Sequence, residues 1–183
     1  MSTFDTLHWR AIAIGVIAMT VVVAASNVLV QYPINDWLTW GALTYPVAFL
    51  ITDLTNRHLG VRAARRVVYV GFGLAVTLSI YLATPRIAVA SGSAFLIAQL
   101  LDVHVFDRLR ERQWWLAPLV SSVLGSVLDT LLFFSLAFFG TGLPWVTWAA
   151  GDLGVKLGVA LCMLIPFRLL LALTVPTAGR AAH

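Results

Sequence analysis

Asp102 and Asp129 each stand inside an apolar run, and a short hairpin of charges joins the two runs. The stretch is residues 99–130, QLLDVHVFDRLRERQWWLAPLVSSVLGSVLDT. Asp102 sits near the end of the first run and Asp129 deep inside the second. Arg108, Arg110, Arg112 and a Trp pair lie between them. A carboxylate in such a setting can accept a bidentate donor, hold a proton or meet a cation. A soluble core does not easily hide so much apolar sequence, and a purely structural anchor does not need the acids. Ionisable groups inside a membrane span are costly and functional by default, so the chain reads as a membrane protein that binds or moves something polar.

Other polar residues fall into two layers along the apolar runs. Asn27 and Gln31 lie in the outer part of the first run. Asp129 is central, and Asp152 and Lys156 lie one helical turn apart in the outer half of the last run. Asp53, Gln99 and Asp102 lie toward the opposite, inner side. Asp152 and Lys156 are spaced for an i,i+4 ion pair, which serves self-neutralisation or a ligand equally well. Asp53 has Arg57 one turn away, and Asp102 has the arginines of its own hairpin. Asp129 has no basic residue within a turn, so it needs a partner from another span, a proton or a ligand. Ser122, Gly125, Ser126 and Asp129 share one small, polar helix face that should point into a bundle. Cys162 reads as a small buried hydrophobe. His58 and His104 have no second ligand at metal spacing, so no metal or other cofactor is implied. No nucleophile motif or HExxH occurs, which disfavours an enzyme.

Composition fixes the elements that must position these groups. Hydrophobic residues make up 60% of 183 positions and charged residues only 11%, which places the chain in the membrane class. The apolar runs are 11–30, 40–53, 67–83, 87–106, 116–139 and 148–173. Six spans of about 20 residues leave only short loops, so the expectation is an all-α polytopic protein with six transmembrane helices in one domain, 1–183. The run at 11–30 is too long for a secretory signal and reads as a retained first span. The second run is short and carries Pro46, and interrupted spans are where transporters place substrate contacts. No GxxxxGK[ST] loop is present, so any ATP would be hydrolysed by another chain.

Loop arginines give the orientation. Arg57, Arg62, Arg65 and Arg66 follow the second run, and Arg108, Arg110 and Arg112 follow the fourth. Arg10 precedes the first run and Arg180 follows the last. The intervening loops 31–39 and 140–147 carry none, and only Arg86 stands near the turn at Thr84. Both termini are therefore expected in the cytoplasm. Trp9, Trp37, Trp40, Trp114, Trp115, Trp145 and Trp148 all fall near proposed boundaries, as an aromatic belt requires. Arg168 reads as a snorkelling side chain near the inner end of the last span. Arginines divided among loops and flanked by apolar runs argue against nucleic-acid binding; the implied partner is the bilayer. Gly151, Gly154 and Gly158 form a smooth strip on the last run, read first as close packing and otherwise as a homodimer face.

The segments SNVLVQYP, TWGALTYPVAFLITDLTNRHLGVRAARRVV and AQLLDVHVFDRLRERQWWLAPLVSSVLGSVLDTLLFF resemble the queuosine-precursor transporter family, from about Ser26 to Arg168. The blocks TDLTNRHLG and QLLDVHVFDRLR carry the resemblance most specifically. It implies six helices arranged like vitamin-transporter substrate-binding subunits. It also implies import of 7-cyano-7-deazaguanine or 7-aminomethyl-7-deazaguanine across a bacterial inner membrane, for building a modified tRNA base, with no ATPase strictly required. The expected substrate-binding set is Asp129, Lys156, Asp152, Asn27, Gln99, Phe133, Ser126, Asp53 and Asp102. A buried carboxylate accepts the ring N–H and exocyclic amine together. Lys156, Asn27 or Gln99 donates to the carbonyl, and Phe133, Phe134 or Trp148 offers a ring face. Two rivals stand beside this reading: the binding subunit of an ATPase-energised vitamin importer, and a non-transporting membrane scaffold.

Overall fold

The computed structural model describes residues 3–29, 32–35, 37–82 and 85–174. Gln31 and Arg180, assigned above to the first outer loop region and the tail, lie outside them. In chain order the elements are α1 (Thr3–Leu29), β1 (Pro33–Asn35), β2 (Leu38–Thr39), α2 (Trp40–Thr44), α3 (Val47–Leu59), α4 (Val61–Leu82), α5 (Pro85–Leu109), α6 (Leu116–Phe138) and α7 (Trp145–Thr174). The two short strands pair antiparallel between α1 and α2, a detail that the all-α expectation did not contain.

Four helical stretches are long and apolar enough to cross a bilayer: His8–Leu29, Pro85–Leu109, Leu116–Phe138 and Trp145–Leu173. The chain is a multi-pass membrane protein. α4 has the length, 22 residues, but its first turns carry Arg62, Arg65 and Arg66, which lowers its hydropathy. The second expected span is divided. Pro46 has no N–H to continue the ladder of α2, so that helix stops at Thr44 and α3 restarts after the proline. Ala48 N–H bonds the Tyr45 carbonyl at 2.9 Å and Phe49 N–H bonds the Pro46 carbonyl at 3.2 Å, which closes the new first turn.

α3 is the axis of the bundle, in contact with α1, α4, α5, α6 and α7. Around it α1 packs on α4, α4 on α5, α5 along much of α6, and α6 on α7. Its buried side chains are Ala48, Phe49, Thr52, Asp53, Thr55 and Asn56, so the centre of this apolar protein is partly polar. α3 ends at Gly60, whose φ of 81° is cheap only for glycine and whose N–H bonds the Asn56 carbonyl at 3.0 Å. The outer surface is apolar, with Ile14, Ile17 and Val21 of α1 and Leu161, Ile165, Leu169 and Leu173 of α7 exposed, as lipid contact requires.

The apolar core joins Met19, Phe49, Val67, Val68, Phe95 and Val103 from four helices. Gly125 on α6 lets α3 approach: a Cβ there would lie 2.6 Å from Cε1 of Phe49, a ring that is 1% exposed. Gly125→Val is therefore expected to destabilise the solubilised protein by about 1–3 kcal/mol, read as a lowered thermal midpoint in detergent. An unchanged midpoint would mean the two helices do not meet there. The strip on α7 divides in the same terms. A Cβ at Gly151 would lie 2.7 Å from the carbonyl oxygen of Trp37, whereas Gly154 and Gly158 meet nothing within 4 Å. Close packing within the chain thus accounts for Gly151 alone. Cys162 is exposed on the same helix, not buried as expected, because its face of α7 looks outward.

Candidate functional site

Two helices and the turn before α3 bring one group of ionisable side chains together. Tyr45, held at the break between α2 and α3, donates its hydroxyl to Asp129 Oδ1 of α6 at 2.8 Å. Lys156 of α7 donates to Asp129 Oδ2 at 2.8 Å and lies 2.6 Å from Asp152 Oδ2, one turn before it. Thr130 completes the group, donating to Asp152 Oδ2 at 3.0 Å and standing 3.2 Å from Lys156 Nζ. The ammonium also lies 5.1 Å from the centroid of the Tyr45 ring, a cation–π distance. Lys156 and Asp129 side chains are 5% and 6% exposed and Asp152 14%, so this network is sealed from lipid. The partner that Asp129 needs comes from α7. The i,i+4 pair of Asp152 and Lys156 forms and takes Asp129 as a third member.

The polar face of α6 points inward as its spacing requires: Ser122, Gly125, Ser126 and Asp129 are all buried. The Ser126 hydroxyl is buried with no hydrogen-bond partner among the described residues. It lies one turn before Asp129 and faces the same interior. On the other side of Asp129, Phe133, Phe134, Phe138 and Trp148 form an aromatic group. Phe133 and Phe134 centroids are 5.2 Å apart and those of Phe138 and Trp148 5.6 Å, both edge to face. Asn27 is in a different place, on α1, where its Oδ1 accepts from Ser91 of α5 at 3.1 Å.

A second polar layer surrounds α3 nearer the arginine-rich end. Thr52 Oγ1 lies 3.0 Å from Gln99 Oε1 and 3.1 Å from Asp102 Oδ2, both on α5. Ser121 of α6 donates to Asp53 Oδ1 at 3.3 Å, and Asn56 donates to the Val103 carbonyl at 3.0 Å. Thr52 and Asp53 are neighbours on α3, so the two acids, both buried, stand in one layer around that helix. Among the described residues neither pairs with an arginine. Arg57 instead donates to the carbonyl of Arg110, and Arg110 lies 3.5 Å from Asp107 and 3.4 Å from Glu111. Arg168 stacks on Trp114 at 5.0 Å and Arg66 on Trp9 at 5.6 Å, so these cations stay at the bundle end among the tryptophans. Arg86, the exception to the arginine asymmetry, caps the far end of α6. Its guanidinium donates to the Leu136 carbonyl at 3.1 Å and the Phe139 carbonyl at 2.6 Å.

Sequence spacing did not single out Tyr45, Thr130, Thr52, Ser121 or Asn56. Tyr45 has a signal, since it directly precedes the proline that breaks its span. The threonines and Ser121 do not: a hydroxyl beside an acid in an apolar run is common, and only the packing of α3 against α5 and α6 pairs them.

Comparison with known proteins places this polar interior in a family. Residues 39–84 and 77–171 match the family described as "Putative vitamin uptake transporter". The "Queuosine precursor transporter" of Escherichia coli is 36% identical over 176 residues, covering 79% of each chain. The "Probable queuosine precursor transporter" of Haemophilus influenzae is 34% identical with the same coverage, and one of Bacillus subtilis is 29% identical over 56% of this chain. No solved structure is significantly similar to the chain. With a family match across most of its length and this identity to its relatives, the chain belongs to the vitamin-uptake-transporter family that includes the queuosine precursor transporter of Escherichia coli.

Proposed function

We propose that this chain imports 7-cyano-7-deazaguanine, 7-aminomethyl-7-deazaguanine or both across a bacterial inner membrane, to supply the modified base of tRNA. The observation that carries the reading is its 36% identity to a relative of that named function, over 79% of each chain. The chemistry supports it. A deazaguanine edge presents a ring N–H and an exocyclic amine, and Asp129 offers two oxygens that now take a tyrosine hydroxyl and an ammonium. Bound substrate would take the oxygen that Tyr45 now occupies. Lys156 would turn to the substrate carbonyl while its second carboxylate, Asp152, keeps its charge compensated. The unspent hydroxyl of Ser126 adds one more donor or acceptor, and the aromatic group at Phe133 and Phe134 lies one turn along α6. A site that pairs all of these groups rejects an adenine-like ring by leaving its own buried polar atoms unpaired. Uptake of labelled precursor into cells that cannot make it, with and without the gene for this chain, tests the reading. Equal uptake in the two strains would end it.

The same reading includes six crossings in one membrane domain. The pair α2–α3 and the arginine-led α4 make the two that fall short of a full apolar span. Both termini then face the cytoplasm, with the arginine-rich end inside. Reporter fusions give the check: one at Gly142 should report an outer position and one at Glu111 an inner one. An inner Gly142 would overturn six crossings.

A further inference from the structure

The two buried layers differ in whether a cation meets their acids. In the outer one, Lys156 lies against both Asp129 and Asp152. In the inner one, Asp53 and Asp102 are 2% and 0% exposed and share a layer that holds no cation among the described residues. Among the described residues none lies within ion-pair distance of either carboxyl. The elements packed around them add nothing that ionises. α3 contributes Thr52 and Asn56, α5 contributes Gln99, and α6 contributes Ser121 and Ser122. α4 brings buried Ala64 and Val67, and α7 brings Ala160, Leu164 and Phe167. Arg57, one turn along α3 from Asp53, is turned away to the Arg110 carbonyl.

Burying two carboxyls in one layer without a cation disfavours the charged form of both, and a bound proton offsets that cost. The hydrogen bonding around the pair is also incomplete. Among the described residues Asp102 Oδ1 and Gln99 Nε2 have no partner, although Gln99 is fully buried and is tied through Thr52 to the same carboxyl. Gln99 thus holds an unspent donor in the layer where negative charge would appear once the proton left. A small cleft between α3, α6 and α7, lined by Phe49, Pro118, Ser122 and Phe167, also has Asp53 in its wall.

We propose that Asp53 and Asp102 form a proton-binding site that couples precursor transport to the proton gradient. The proton enters from the outer side onto the buried carboxyls, moves with the substrate-loaded protein, and leaves to the cytoplasm when water reaches them from that side. No bond other than the carboxyl O–H forms or breaks. The proposal rests on the transport reading above, and its test separates the two.

Purified protein in vesicles, with the membrane potential clamped, is given the uncharged substrate 7-cyano-7-deazaguanine under an acid-outside gradient. With one proton per substrate, each pH unit should drive about tenfold accumulation, lost on adding a protonophore. Uptake that only equilibrates, with or without the gradient, would overturn coupling and leave the transport reading intact. A requirement for sodium in place of the proton gradient would also overturn it. Absence of uptake under every condition would overturn both. Asp53→Asn and Asp102→Asn should each lose gradient-driven accumulation, and its survival in both would remove the pair from the role. Should neither variant fold, the wild-type infrared spectrum still decides: a protonated-carboxyl band at neutral pH is expected, and its absence overturns the proposal.

Discussion

Lys156→Met should give a protein that barely survives extraction from the membrane. Lys156 is the one cation of the outer network, whose charges sum as Asp129 (−1), Asp152 (−1) and Lys156 (+1) to −1. Without the ammonium the sum is −2, on two carboxylates sealed inside the bundle. Removing one partner of a buried ion pair costs about 3–5 kcal/mol, because the charge left behind is uncompensated. That is a large share of the stability of any domain. The loss should appear as a lowered thermal midpoint and as aggregation on size-exclusion chromatography in detergent. Methionine keeps nearly the length of lysine, so packing contributes little. Combining Lys156→Met with Asp129→Asn and Asp152→Asn removes all three charges and should recover much of the stability, since a neutral replacement of the whole group is far cheaper than a broken one. If the single variant is as stable as the parent, the three residues do not form this network. If the triple variant is no better than the single one, the cost is not electrostatic.

The same group shows how far the sequence could be read. Asp152 and Lys156 were legible as a pair because four residues on a helix bring side chains together whatever the rest of the fold does. The inward face of Ser122, Ser126 and Asp129 was legible for the same reason. What joined Asp129 to Lys156 was the packing of α6 against α7, 27 positions apart, which no local period encodes. Asp53 and Asp102 were the harder case. Each had arginines nearby in the chain, and local pairing was the economical expectation. The fold instead gives Arg57 to the Arg110 carbonyl and Arg110 to Asp107 and Glu111, and it buries both acids in the bundle. Charge near the end of a span says little about which way a side chain turns, because an arginine reaches the interface along its own stem and an aspartate cannot. The break at Pro46 was visible in the sequence, but its consequence, a tyrosine hydroxyl delivered to Asp129, depends on where α3 lies among five other helices.

Asp129→Asn should do the reverse of Lys156→Met: keep the fold and cut transport. Asparagine keeps the size of the side chain, and its carbonyl oxygen can still accept from Tyr45. Lys156 retains Asp152 at 2.6 Å, and the charge of the network moves from −1 to 0, which burial favours. The thermal midpoint should therefore hold or rise. The substrate loses more. An amide offers one acceptor where the carboxylate offered two, and its NH2 would oppose the exocyclic amine of a deazaguanine. A charge-assisted hydrogen bond is worth about 1.5–3 kcal/mol, or roughly tenfold to more than a hundredfold in affinity. Calorimetry on the solubilised variant and uptake in cells should fall together by that factor. If affinity and uptake match those of the parent, Asp129 is structural only, held by Lys156 and Tyr45. The substrate would then have to find its acceptor in the inner layer, at Asp102 and Asp53, where an oxygen and an amide still have hydrogen bonds to make.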